Sequence, residues 1–400
     1  MPASAPIARR RLDAIDTLRG LVMILMALDH VRDFFGTPGI SPTNLAQTTV
    51  ALFATRWITH FCAPVFFLLT GVGACLARRH KSTGELSRFL LVRGLWLIVL
   101  ELTILRCFGY QFNMDYRVTL LVILWALGWS MIALAALIWL PVPLIAAIAL
   151  AMIAGHNLFD TVQSANPLWV ILHRQFFVAN GWHVTVGRWS WSAPVLFVAY
   201  PLIPWIGVTA AGFSLGRIYQ WPAPKRQRFL LATGLTLTAA FIVLRATNLY
   251  GDPVHWTRQT SAAMTGVSFL NANKYPPSLI FLLMTLGPAL LALRWLDART
   301  PRWLAPALTL GRVPLFYFIL HLPLIHLLAV IACALKYGAV HWMFESPDLA
   351  NYPFTPPPGW GFSLPVIYAI WVAVVALLYP ICRWFAGVKQ RRTDWWLGYL

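Results

Sequence analysis

Two short stretches near the N-terminus set ionisable side chains into an otherwise apolar background: Asp13, Asp16 and Arg19, then Asp29, His30, Arg32 and Asp33. At 100° per residue, Asp16, Arg19, His30 and Asp33 fall within roughly a 100° arc of one helix face, which Met23 and Met26 share. Ionisable groups that face lipid are costly, so this face should turn toward the protein interior or a water-filled cavity. Arg19 and His30 are eleven residues apart, about 16 Å along a helix axis. A planar guanidinium suits a phosphate or diphosphate. A histidine with a carboxylate neighbour suits general-base work near neutral pH. One helix can therefore hold both the phosphate end and the reactive end of a long thioester donor. The plainer alternative is that Arg19 pairs with Asp16 or snorkels, and that His30 makes a structural hydrogen bond.

Further histidines lie in other apolar segments. Arg56 and His60 are one helical turn apart in Thr55-Arg56-Trp57-Ile58-Thr59-His60, and Pro64 follows as a kink candidate. Tyr317 and His321 share a face, whereas His326 points elsewhere, so the last two histidines do not form a helical metal pair. Three histidines in separate segments favour a shared cavity over three unrelated hydrogen bonds. Lys274, in Asn271-Ala272-Asn273-Lys274-Tyr275-Pro276-Pro277-Ser278, either fixes a carboxylate or phosphate or anchors a helix end at the membrane interface. It joins Arg19 and Asp16 as a candidate for donor binding. No metal site is expected: there is no HExxH pair, and the five cysteines (Cys62, Cys75, Cys107, Cys333 and Cys382) form no CxxC and read as small buried apolar residues. A phosphate-cradling glycine loop and a GxSxG nucleophile elbow are also absent from the sequence.

The elements that must position these residues follow from composition. Of the chain's 400 residues, 59% are hydrophobic and 11% charged, and mean hydropathy is +0.67. Soluble domains carry about 25% charged residues. We expect an all-α, polytopic membrane protein with about ten spanning helices. Their apolar segments lie near 13–34, 49–77, 87–108, 117–140, 142–156, 194–219, 227–246, 275–297, 309–335 and 361–386. The fifth is short and follows Pro141 and Pro143, so it reads as tilted, broken or re-entrant. The net charge of +18 is explained by basic residues concentrated in every second loop, and so on one side, which puts both termini in the cytoplasm. It does not indicate nucleic acid, because the cations form no continuous stripe among stacking aromatics. The expected division is a cytoplasmic segment 1–12, one transmembrane domain 13–387 and a cytoplasmic tail 388–400. No cleavable signal peptide is evident. The longest outer loop, 157–193, holds His173, Arg174, His183 and Arg188 among Trp169, Trp182, Trp189 and Trp191. It is open to two readings, an interfacial aromatic belt or a sugar-stacking lid.

Five stretches carry a resemblance: "RRLDAIDTLRGLVMILMALDHVRDFF", "TRWITHFCAPVFFLLTG", "YPLIPWIGVTAAGFSLGR", "FLNANKYPPSLIFLLMTLGPALL" and "LGRVPLFYFILHLPLIH". The chain resembles, from about 11 to 396, the bacterial membrane family related to heparan-α-glucosaminide N-acetyltransferase. The Arg19-to-His30 spacing is also similar to the Arg–His motif of the acyltransferase-3 membrane family, whose histidine is considered catalytic. The resemblance implies an acyltransferase in the bacterial inner membrane. It would move an acetyl or other short acyl group from cytoplasmic acyl-CoA to a hydroxyl or amine of an extracytoplasmic glycan or small molecule. His30 would be the base or transient acyl carrier and Asp33 its orienting partner, with Arg19 on the donor phosphate. His60 and His321 would complete the cavity. The chain departs from the family pattern in having no histidine from 36 to 59, and in carrying His60 where an Asp is usual. His30 and His60 are thus both candidates. The residues alone also fit a transporter or flippase for a small anion or lipid-linked sugar, or a non-catalytic membrane scaffold. The partners expected are the bilayer, acyl-CoA and the acceptor, and a homo-oligomer is compatible with the sequence.

Overall fold

A computed structural model describes residues 5–164, 166–179, 183–186, 189–192, 195–346, 353–392 and 394–399. Helices come in the order α1 (Ala5–Phe35), α2 (Val50–Thr59), α3 (Cys62–Ala77), α4 (Thr83–Leu100), α5 (Ile123–Leu137), α6 (Val142–Gly155) and α7 (Pro167–His173). They continue with α8 (Leu202–Leu215), α9 (Ala223–Thr247), α10 (Ala262–Leu270), α11 (Leu279–Ala298), α12 (Ala305–Arg312), α13 (Pro314–Tyr337) and α14 (Leu364–Arg391). Among the described residues, six helical stretches are long and apolar enough to cross a membrane: Val50–Ala77, Val142–Phe159, Ala223–Thr247, Leu279–Ala298, Pro314–Tyr337 and Leu364–Arg391. The chain is thus a mostly helical, multi-pass membrane protein.

The remaining expected spans differ for identifiable reasons. α1 has 31 residues, which is long enough, but it carries the charged face. α5 has 15 and α8 has 14 residues, because the segments that contain them begin as strands. Val118–Leu121 (β1) pairs in parallel with Val195–Val198 (β5), and Phe176–Ala179 (β2) pairs antiparallel on the other side of β5. His183–Val186 (β3) and Trp189–Ser192 (β4) form a hairpin. The expectation of helix alone is therefore corrected: two apolar segments open with β-branched residues that satisfy their backbone groups across a small sheet.

α1 is the hub, packed against α3, α11, α12, α13 and α14. It meets α12 at two facing glycines. A Cβ at Gly20 would lie 1.7 Å from the Ala307 carbonyl oxygen, and one at Gly311 would lie 1.7 Å from that of Asp16. Only two hydrogens at these Cα atoms allow the backbones to touch. Gly311→Val is expected to cost about 3 kcal/mol through overpacking, read as a lower midpoint of thermal unfolding in detergent. An unchanged midpoint would show that the helices separate freely.

The span 49–77 is interrupted at His60–Phe61, between α2 and α3. Pro64 has no N–H to offer the carbonyl of residue 60, so the helical ladder opens there. The expected kink thus falls four residues before the proline, at a histidine. After Leu100, α4 continues as a π-helix, Glu101–Tyr110. Its first residue, Glu101, is buried and caps α5 by accepting from the backbone N–H of Leu124 at 2.8 Å.

Candidate active site

The end of the bundle where α1 begins is called proximal here, and the other end distal. At the proximal end a cavity of about 360 Å³ lies among α1, α3, α4, α5, α13 and α14. Four cations line it: Arg19, Arg93, Arg312 and Lys389. Arg19 donates to Asp16 Oδ1 at 2.8 Å and to the Gly311 carbonyl at 3.1 Å. The α1–α12 glycine contact therefore also fixes the guanidinium. Arg312 donates to Asp13 at 2.9 Å, and Arg93 donates to the Gly398 carbonyl. Among the described residues Lys389 meets no carboxylate. The plain reading of Arg19, a pair with Asp16, is correct as geometry. It does not empty the cavity of positive charge, because four cations share two carboxylates.

Most of the other side chains that line it are apolar, among them Met23, Leu315 and Phe318. The Phe318 ring is 6.4 Å from His30 and 5.1 Å from His321, centroid to centroid. The two histidine rings are themselves 5.2 Å apart. Tyr317 stacks on His321 at 5.4 Å, so the face they were expected to share is real. His321 Nδ1 donates to the Phe318 carbonyl at 2.7 Å. A carbonyl only accepts, so the neutral ring carries its lone pair on Nε2, and this buried nitrogen has no protein partner among the described residues.

On the distal side lies a cleft of about 740 Å³, lined by Arg32, Asp33, Arg56, Tyr275, Trp360 and Phe362, among others. Trp360 and Phe362 belong to a loop docked on the end of α1: the Trp360 indole donates to the Phe34 carbonyl at 2.9 Å, and the Phe362 N–H to the Phe35 carbonyl at 2.9 Å. His30 therefore stands between the two spaces. It meets Phe318 of the proximal wall, while its Nδ1 lies 4.0 Å from Asp33 Oδ2 in the distal wall. That distance is too long for a hydrogen bond. Asp33 accepts from Arg32 at 2.5 Å instead.

Asp29 holds these groups together, although it lies off the arc of α1 that carries Asp16, Arg19, His30 and Asp33. It accepts from Arg32 at 2.8 Å, from Thr59 at 2.9 Å and from Arg56. Through it α1 is tied to the end of α2, next to His60. A carboxylate inside an apolar segment, one turn from Arg32 and adjacent to His30, was the available signal. His60 itself is buried against Phe281 of α11 at 5.3 Å and makes no ring contact with His30 or His321 among the described residues. Lys274 is 7% exposed and sits with the distal group, its Nζ 5.2 Å from the Tyr275 ring. It is within electrostatic reach of Asp29, His30, Asp33 and His60. Its position is far along α1 from Arg19 and Asp16.

Other sequence candidates have structural places. His326 is held by the carbonyls of Gly109 and Met343, at 3.1 and 2.7 Å, and stacks on Phe112. All five cysteines are free and buried. His173 packs on Trp169 at 4.9 Å, with Asp160 at 3.7 Å. Trp182 and Arg188 lie outside the described residues.

The basic cavity and the aromatic-walled cleft are thus linked by one half-buried histidine, His30, which touches Phe318 of the first and lies near Asp33 of the second. The family model described as "Heparan-alpha-glucosaminide N-acetyltransferase, catalytic" matches residues 11–250. The chain belongs to that family, a family of transmembrane acetyltransferases. The match takes in Asp16, Arg19, His30, Asp33 and His60 and stops before Lys274 and His321. No curated protein matches the chain.

Proposed function

We propose that the protein is an acyltransferase that moves an acetyl or other short acyl group from acyl-CoA in the proximal cavity to a hydroxyl or amine of a glycan or small molecule in the distal cleft. The observation that carries this reading is the His30–His321 pair: both rings touch Phe318, a wall residue of the cavity with four cations, and His30 lies near Asp33 of the aromatic-walled cleft. Arg19, held by Asp16, binds donor phosphate together with Arg93, Arg312 and Lys389, and the apolar walls take the arm that ends in the thioester. His30 removes the proton from the acceptor hydroxyl or amine. The acceptor oxygen or nitrogen bonds to the acyl carbon, and the sulfur leaves with its electron pair and takes up a proton. In the variant of this route His30 carries the acyl group in between, and an acyl-enzyme then accumulates when acceptor is withheld. His321 Nε2 supplies the second proton-handling nitrogen. Asp33 sets the charge beside His30, while Lys274 and His60 favour negative charge that develops on the acyl oxygen.

In the same reading, both termini lie in the cytoplasm and the proximal cavity opens there, in agreement with the distribution of Lys and Arg. Segments 1–12 and 388–400 flank one transmembrane domain, 13–387, with about ten crossings of the bacterial inner membrane.

Binding of radiolabelled acetyl-CoA to the purified protein tests the donor site. Wild type is expected to bind saturably. Arg19→Ala should weaken binding about tenfold or more, since it removes a charge-assisted contact, and His30→Ala should bind as wild type does. A folded wild type with no binding up to millimolar acetyl-CoA would sink the donor assignment. Flux of a small anion into proteoliposomes without a covalent product would then identify a transporter.

A further inference from the structure

The outer face of α14 carries a feature that acyl transfer does not use. Arg383, Gly387 and Arg391 follow one another at intervals of four residues, so they form one stripe. With Tyr379, Pro380 and Trp384 they line a groove of about 540 Å³. The glycine makes a notch in that groove. A Cβ at Gly387 would meet only the Arg391 guanidinium, with Nη2 at 3.6 Å, so Arg391 folds back over the glycine. Both arginines are exposed. Among the described residues neither meets a carboxylate, whereas the adjacent Arg392 pairs with Asp394 at 2.7 Å.

A cation in the last turn of a helix offsets the partial negative charge there, which accounts for Arg391. Arg383 lies eight residues further in, about 12 Å along the axis. At that depth an exposed, unpaired guanidinium on a membrane helix needs a counter-charge from its surroundings. Trp384 beside it is 62% exposed, and Trp395 beyond the helix end is 81% exposed. Exposed tryptophans mark the headgroup layer, so the group within reach of Arg383 is a lipid phosphate. Guanidinium binds phosphate in a two-pronged geometry. Two guanidiniums around one notch repel a headgroup that carries its own ammonium and favour one with net negative charge.

We propose that the groove bounded by Arg383, Gly387 and Arg391 binds the headgroup of an anionic phospholipid. The full-length protein in neutral detergent is titrated with phosphatidylglycerol or with phosphatidylcholine of the same acyl chains, and bound lipid is counted by native mass spectrometry. Wild type should hold phosphatidylglycerol about tenfold more tightly than phosphatidylcholine. Arg383→Gln with Arg391→Gln should remove that preference. Gly387→Leu, which keeps both cations and fills the notch, should weaken phosphatidylglycerol several-fold. Soluble glycerol phosphate at the same concentration should leave the bound lipid in place. Equal affinity for the two lipids in wild type would overturn the proposal. So would unchanged phosphatidylglycerol binding in either variant, or displacement by glycerol phosphate.

Discussion

Replacing His30 by Ala is expected to lower acyl-transfer turnover about a thousandfold while acetyl-CoA still binds. General-base catalysis contributes roughly 10²–10⁴ in rate, and among the described residues His30 is the one histidine that meets lining residues of both spaces, Phe318 and Asp33. The loss should appear in kcat and not in donor affinity, because the four cations of the proximal cavity are untouched. Some activity should survive, since the His321 ring lies 5.2 Å from that of His30. The His30→Ala, His321→Ala pair should therefore also lose the activity that His30→Ala retains, so that the two losses do not simply add. Single-turnover transfer from labelled acetyl-CoA to a glucosamine glycoside measures the step. A folded His30→Ala, His60→Ala variant with wild-type turnover would remove both histidines from the mechanism.

Most of the helical framework could be read from the sequence because long apolar runs leave few alternatives in a bilayer. The exceptions were places where hydropathy carries no directional information. The segments 117–140 and 194–219 looked like continuous helices, yet their first residues pair as β1 and β5. Sliding-window apolarity is the same for a buried strand and a buried helix turn. The interruption at His60–Phe61 was foreshadowed by Pro64, and the missing proline N–H fixes its offset of four residues.

The site was legible to the extent that one helix carried it. The polar face of α1 does turn inward, and Arg19 and His30 do occupy its two ends. What the sequence could not give was partnership between helices. His321 meets His30 and His60 does not, although His60 was the other candidate for the catalytic histidine in the sequence, because α13 packs on this part of α1 while His60 is turned toward α11. Arg93 and Lys389 were ordinary basic residues until α4 and α14 brought them to the cavity that Arg19 faces. Asp33 was assigned to His30 from its spacing, yet Arg32 is nearer and takes its oxygen at 2.5 Å.

Asp29→Ala is the second large effect, and it separates an organising role from a merely local one. The carboxylate is shared by Arg32, Arg56 and Thr59, so its removal leaves two guanidiniums without their common anion. Breaking a buried pair by deleting one partner costs about 3–5 kcal/mol, because the remaining charge is uncompensated. We expect a loss of about 3 kcal/mol in denaturant unfolding in micelles. We also expect a fall in turnover, because His30 is the next residue and Thr59 precedes His60. The cause can be checked by removing a cation as well. If Asp29 acts by neutralising the arginines, Arg56→Met in the Asp29→Ala background should restore part of the lost stability, with the two changes coupled by more than about 1 kcal/mol. If the two losses simply add, Asp29 does not hold α1 to α2 through charge. The distal cleft would then owe its shape to the docking of Trp360 and Phe362 on the end of α1 alone.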